Sequence, residues 1–380
     1  MRIGLDVRYL SHGLVGGIHT YLKNFIPALM DASAGHHIYL YADTKRPFEL
    51  QPMPGHVTLR LLPYRHPGSS LYNDFFMWRQ MARDNLDVTH FTASYGFGPA
   101  QSRTVITLQD EINILPLPEI IRGHAKNART IAMMIYLHFC TRAALRRADA
   151  LITVSEYSKR RITEHSSLAP EAIVVIPHAC PHDIRRIDDG DELAEVRRRL
   201  GLTRPFIVAE AFKNPGVLVR AWKLLPCSLR EAHEVIFFSR SASVLPVVHE
   251  AISAGYARLL VRPARRDLSA LYSMACAFVF PSWIEGFGIP LLEAMTCGAP
   301  VIASDRGSIP EVVADAAMLI DAEDETALAH HLAHLLEQTP ERERWRALGF
   351  ARAAQFAWPK IAQQALSCYE RMLAAESSHQ

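Results

Sequence analysis

A chain of 380 residues is too long for one ordinary hydrophobic core and predicts two domains. With 49% hydrophobic and 21% charged residues it is not a disordered chain, and a net charge of +2 without a long basic run excludes sequence-independent nucleic-acid binding. Arg2, Asp6 and Arg8 break the apolar start, no stretch reaches the roughly 20 apolar residues that span a bilayer, and six scattered cysteines form no C-x-x-C, so reduced thiols in a cytoplasm are expected.

In chain order, a strand is expected at 1–7, then a loop with Gly13, Gly16 and Gly17, then a helix through Tyr21, Phe25 and Leu29. Strand patterns follow at 37–41, 58–62, 88–91, 104–108, 150–154 and 173–176, with helical patterns between many of them. Residues 117–148 read as a helix carrying Arg122, Lys126, Arg129, Arg142, Arg146 and Arg147 around the apolar run 131–140. Basic plus apolar on one helix suits an anionic membrane surface, and it equally suits a domain helix with solvated arginines and a buried centre. The charged segment 183–202 reads as a linker and a surface helix, after which strands recur at 206–209, 234–238, 258–261, 277–280 and 300–303. Strands alternating with helices imply parallel sheets covered on both faces, here twice over, meeting near 178–190. A last helix starts at Trp358, with Ile361, Ala365, Leu366, Tyr369 and Met372 on one face. Ligands of such sheets bind at the carboxyl ends of the strands, and the cleft between two such domains is the expected site.

One segment carries chemistry: CAFVFPSWIEGFGIPLLEAMTCGAPVIAS. It reads as strand, turn 282–288, helix with Pro290 in its first turn and Gly298 at its stop, then strand. Gly286 and Gly288 let the backbone approach an anion at the positive end of that helix. Glu285 and Glu293 bracket the turn. A carboxylate only accepts hydrogen bonds, so it suits hydroxyls, and the pair stands several ångströms apart at ~1.5 Å per helical residue. A diphosphate on the amides with a hydroxyl-bearing group at each side is a nucleotide sugar. The structural alternative makes Glu285 a strand end and Glu293 a solvated helix position.

The stretch PSWIEGFGIPLLEAMTCGAPVIASDRGSIPEVV resembles the signature of the retaining glycosyltransferases of family four, whose two glutamates with seven residues between them match Glu285 and Glu293. LDVRYLSHGLVGGIHTYL, VSEYSKRRI, VVIPHA, LSALYSMACAFVFPS and FAW agree, over nearly the whole chain. The resemblance implies the GT-B fold, an α/β architecture of two Rossmann-like domains. An acceptor-binding domain would span 1–182, a nucleotide-sugar domain 183–357, and a C-terminal helix, 358–376, would cross back to the first. It implies that Glu285 meets donor-sugar hydroxyls, Glu293 the ribose, and Gly286, Phe287, Gly288 and Ile289 the diphosphate or sugar. Gly16 and Gly17 would form the N-terminal loop facing donor and acceptor, and Lys213 and Asn214 would belong to the diphosphate grip. Retention with the departing phosphate as base, and no metal or other cofactor, are further implications.

Two positions depart from the family pattern. Phe212 stands where an arginine precedes Lys213 and Asn214, a loss of forked geometry that lysine does not replace and that Arg240 is expected to offset. Gln109 replaces the histidine of a His-Asp pair and leaves Asp110 in place, keeping a donor and an acceptor without a titratable charge. These residues, with Glu285, form the expected catalytic set. Because two groups are changed, a catalytically weakened partner subunit of a glycan-assembly complex is the alternative function. His330 with His334, and His178 with Cys180 and His182, have spacings that suit metal ligands but equally suit a solvated face and a linker.

The pattern RIGLDVRYL…GGIHTYL resembles mannosyltransferases of bacterial surface polysaccharides. The expectation is therefore a cytoplasmic hexosyltransferase, peripheral at the inner membrane face, moving mannose from GDP-mannose to a growing, lipid-linked glycan. A UDP-sugar is the alternative donor. Val261 and Arg262 are the candidates for contacting the base.

Overall fold

Among the described residues, thirteen strands form two wholly parallel sheets. The computed structural model describes residues 1–11, 16–46, 48, 50, 53–122 and 127–377. Gly13 and Lys126 lie outside them. One compact unit is Met1–His178 with Ala357–Gln380, the other Ala179–Phe356.

The first unit holds β1 (Arg2–Asp6), β2 (His37–Asp43), β3 (Val57–Leu62), β4 (Val88–Phe91), β5 (Arg103–Thr107), β6 (Ala150–Thr153) and β7 (Ile173–Val175), in the order β3-β2-β1-β4-β5-β6-β7. The second holds β8 (Phe206–Glu210), β9 (Glu234–Ser239), β10 (Ala257–Val261), β11 (Ala277–Phe280), β12 (Val301–Ser304) and β13 (Met318–Ile320), in the order β10-β9-β8-β11-β12-β13. β4, β6, β11 and β12 are buried at every residue, as strands covered on both faces must be. In each sheet the chain winds outward one way from the first strand, then returns to its other side. The resulting switch points, between β1 and β4 and between β8 and β11, are where an open parallel sheet leaves a crevice at its carboxyl edge.

β13 is absent from the sequence-based expectation, because three residues, Met-Leu-Ile, are too few for a periodic signal. The helix expected over 117–148 is two helices, Leu117–Arg122 and Ala128–Leu145. The second starts at Asn127, whose side chain accepts from the Thr130 amide, so a capping residue sets the break.

The helix Trp358–Ser377 belongs to the first unit and packs on the helix Gly17–Ala32. Trp358 is buried against Tyr21 and His178, with ring centroids 6.1 and 6.4 Å away. Tyr369 Oη lies 2.7 Å from His90 Nδ1, while His90 Nε2 lies 2.7 Å from Thr107 Oγ1. Both imidazole nitrogens of a fully buried histidine are thus satisfied, and burial pushes its pKa down to about 3.

Candidate functional site

The turn after β11 is shaped by glycines. Gly288, at φ +93°, caps the helix Ile289–Cys297, and Pro290 sits in the first turn, where its missing N–H leaves no gap. Phe287 is buried and meets Phe356 edge-on at 5.8 Å, anchoring the loop from below. Gly307, at φ +61°, lies so close to Glu285 that a Cβ would come within 2.8–2.9 Å of its backbone oxygen and nitrogen. Ser308 Oγ donates to the Glu285 carbonyl at 3.0 Å. The backbone of Glu285 is therefore fixed by the segment that follows β12.

Its side chain is fixed as well. Glu285 Oε1 accepts from Ser282 Oγ at 2.7 Å and pairs with Lys213 Nζ at 2.6 Å. Lys213 lies beyond the end of β8, so the pair spans the β8–β11 switch point. Glu293, inside the helix Ile289–Cys297, is buried and pairs with Arg265 Nη2 at 2.8 Å. Arg265 opens the helix Arg265–Met274 and also reaches Asp183 at 3.1 Å. Burial pushes the Glu293 carboxyl above its usual range, and the Arg265 guanidinium opposes that rise.

Glu210, the last residue of β8, was not anticipated as a site residue. Burial pushes its pKa up; Lys213 and Arg240 draw it down, while Glu285 and Glu293 raise it further. It therefore lies within electrostatic reach of both expected glutamates and of two cations. Arg240 acts on both Glu210 and Glu293, so its charge falls inside this cluster. Beneath them, the Tyr272 hydroxyl is fully buried without a hydrogen-bond partner among the described residues and feels the charges of Glu293 and Glu210.

Other expected residues make local contacts or stand exposed near the same edge. Asn214, at φ +50°, caps the helix Pro215–Leu224, and its amide nitrogen donates to the Ala322 carbonyl at 2.7 Å. Phe212 is 46% exposed and brings no charge. Val261 is 43% exposed at the end of β10, and Arg262 follows it at φ +51°.

In the N-terminal unit, Gly16 caps the helix Gly17–Ala32 in an extended conformation, and a Cβ on Gly17 would stand 3.7 Å from Gln109 Oε1. Gln109 follows β5, and its Nε2 is buried with no hydrogen-bond partner among the described residues, a rare state for a native amide. Asp110 Oδ1 accepts from the Ile112 amide at 3.0 Å. The structure thus places Gly17 beside Gln109 in one unit, and Lys213, Arg240, Glu285 and Glu293 together in the other. A cavity of about 570 Å³ opens elsewhere, at the amino ends of β4 to β6, and is lined by none of the expected catalytic or donor-binding residues.

Of the residues missed, Arg265, Gly307 and Ser308 act through contacts between segments distant in sequence, whereas Ser282 acts within the turn, three residues before Glu285. Glu210 left a local signal, a carboxylate at the end of an otherwise apolar strand.

Residues 211–351 match the family described as Glycosyl transferases group 1, and residues 15–183 match Glycosyltransferase Family 4. The O-antigen chain mannosyltransferase B of Escherichia coli is 30% identical over 296 residues, 76% of this chain and 75% of that one. The serotype-specific mannosyltransferase WbdA of Escherichia coli is 28% identical over 242 residues, 61% of this chain but 30% of that longer one. Among solved structures, the sucrose-phosphate synthase of Thermosynechococcus elongatus superposes with a TM-score of 0.72 at 20% identity, covering 99% of this chain and 100% of that one. The fold is GT-B. The chain belongs to the family 4, group 1 glycosyltransferases.

Proposed function

We propose that this glycosyltransferase moves mannose from GDP-mannose to a growing, lipid-linked surface polysaccharide, with retention of configuration and without a metal. The observation that carries the reading is the acid pair at the β8–β11 switch point, each member held by a cation: Glu285 by Lys213 and Glu293 by Arg265. The likeness to the two mannosyltransferases supports the choice of sugar.

In this reading the diphosphate rests at the N-terminus of the helix Ile289–Cys297, beside the glycine turn that precedes it. Negative charge grows on the departing diphosphate as the glycosidic bond breaks. Lys213 stabilises that charge and leaves Glu285 to accept the sugar hydroxyls. The second oxygen of Glu293 accepts a ribose hydroxyl, while Arg265 keeps this buried carboxylate ionised. The unpartnered Nε2 of Gln109 gains an acceptor when donor or acceptor sugar enters, and Asp110 shapes the turn beside it. The departing phosphate takes the proton of the attacking hydroxyl.

A peripheral position at an anionic membrane is part of the same proposal. Met133 and Phe139, on the helix Ala128–Leu145, are 55% and 60% exposed, and Arg129 is exposed at its start. No helix among the described residues is long and apolar enough to cross a membrane.

The test is a melting-temperature panel with GDP, UDP, ADP and their sugars, followed by transfer of labelled mannose to membrane acceptors. Binding to the folded state raises the melting temperature, by about 2.7 kcal/mol of stability at a hundredfold excess over Kd. A shift with GDP and GDP-mannose plus transfer is the expected result. No shift with any nucleotide overturns the reading in favour of a non-catalytic subunit, for which Phe212 in the arginine position is the motive.

A further inference from the structure

Arg262 is the first residue after β10, on the same carboxyl edge as Glu210 and the turn after β11. Three residues later Arg265 holds Glu293 at 2.8 Å. A ribose on Glu293 therefore stands beside the loop 262–264, and its base has that loop as a neighbour. The backbone of Arg262 has φ +51°, a left-handed conformation uncommon for any residue with a Cβ, and Pro263 behind it restricts the position further. Its Nε donates to the Arg240 carbonyl at 2.9 Å, which fixes the plane of the guanidinium. The two terminal nitrogens make no hydrogen bond among the described residues, and the side chain is exposed. Val261 beside it offers an apolar flank that is 43% exposed.

Two parallel N–H donors on a fixed plane match two acceptors on one edge of a ring. Guanine presents N7 and O6 in that arrangement. Adenine sets an amino donor beside its N7, and uracil offers a lone carbonyl. We propose that Arg262 selects the donor nucleotide by donating both terminal nitrogens to N7 and O6 of guanine. This rests on the reading above that the donor is a GDP-sugar.

The experiment is titration calorimetry of wild type, Arg262→Gly and Arg262→Lys with GDP, UDP, ADP and 7-deaza-GDP, which lacks the N7 acceptor. Glycine adopts φ +51° without penalty, so Arg262→Gly keeps the loop conformation while removing the fork, and its ligand-free melting temperature should stay within a few degrees. Wild type should bind GDP best and 7-deaza-GDP about tenfold more weakly. In Arg262→Gly, GDP affinity should fall about ten- to a hundredfold to the level of UDP, UDP affinity should hold, and GDP and 7-deaza-GDP should bind alike. Arg262→Lys should resemble the glycine variant, because an ammonium lacks the fork. Equal binding of GDP and 7-deaza-GDP to wild type, or an unchanged GDP preference in Arg262→Gly, overturns the assignment and leaves the GDP-sugar reading standing. A wild type that prefers UDP or ADP, or binds no nucleotide, overturns both.

Discussion

The carboxyl edges at β1 and β8 occupy equivalent places in two sheets of similar winding, yet they carry different chemistry. After β1, buried Arg8 pairs with Asp6 at 2.7 Å and Asp74 at 2.8 Å, and Asp74 also accepts from Tyr95 at 3.0 Å and Tyr136 at 2.7 Å. That hub satisfies itself and binds helix to sheet. After β8, Lys213, Arg240 and Arg265 meet Glu210, Glu285 and Glu293 around a glycine turn at a helix N-terminus. A closed network of charges makes structure, whereas one built around a glycine turn at a helix N-terminus makes a candidate site. In the first unit the expected site residue whose side chain lacks a partner among the described residues carries a neutral amide, Gln109 Nε2. Binding there is expected to be positional, and binding in the second unit electrostatic.

Acid should separate the two units most strongly. His90 and His178 are buried in the first, with pKa values lowered by burial to about 3. Between pH 6.5 and 3 the unfolded chain takes up protons that the folded unit refuses, so stability complete above pH 6.5 is lost as pH falls, on the order of 4 kcal/mol per histidine at the bottom of that window. In the second unit, burial raises the folded pKa of Glu210 and Glu293, so their contribution runs the other way: it favours the fold at low pH and fades as pH rises through the raised values. Hydrogen exchange at pH 4 and pH 7 should show protection lost first around β4 and β5. Earlier loss around β8 and β11 would break the comparison.

Glu285→Ala should lower kcat/KM about 10²- to 10³-fold with little change in melting temperature, because on the proposed reading it removes the acceptor for the hydroxyls of the reacting sugar. Retained turnover would show that the paired acid is structural. Gly307→Ala is the next effect in size. A Cβ at φ +61° against the Glu285 backbone should destabilise by about 1–3 kcal/mol and reduce turnover along with stability. A variant with normal stability and rate would mean that this segment does not hold Glu285. The smallest effect belongs to Gln109→Ala, about a three- to tenfold loss in kcat/KM from one neutral hydrogen bond, with Gln109→Glu losing more if the acceptor there is anionic. Unchanged kinetics in both variants would remove Gln109 from the site.

Much of this was legible in one dimension because its causes are local. Apolar runs four or five residues long between turn residues marked most strands, and β4 and β11 match their expected limits. Gly288, Pro290 and Gly298 placed both ends of the helix Ile289–Cys297 through backbone sterics alone. The family signature brought Glu285, Glu293 and Lys213 into view, since they follow the ends of particular strands.

The partners of those acids were not legible. Arg265 is 28 residues from Glu293, Lys213 is 72 from Glu285, and each ion pair exists only because strand order sets the segments side by side. β13, with three residues, gains its strand character from pairing with β12 rather than from its own pattern. The sequence by itself determined the two wound sheets, the glycine turn and the pair of acids, through short-range sterics and periodic burial. Tertiary structure alone decided which cation each acid meets, that Glu210 joins them, and that Gln109 keeps an amide unpartnered among the described residues. Charge pairing and desolvation depend on distances in space that separation along the chain does not encode.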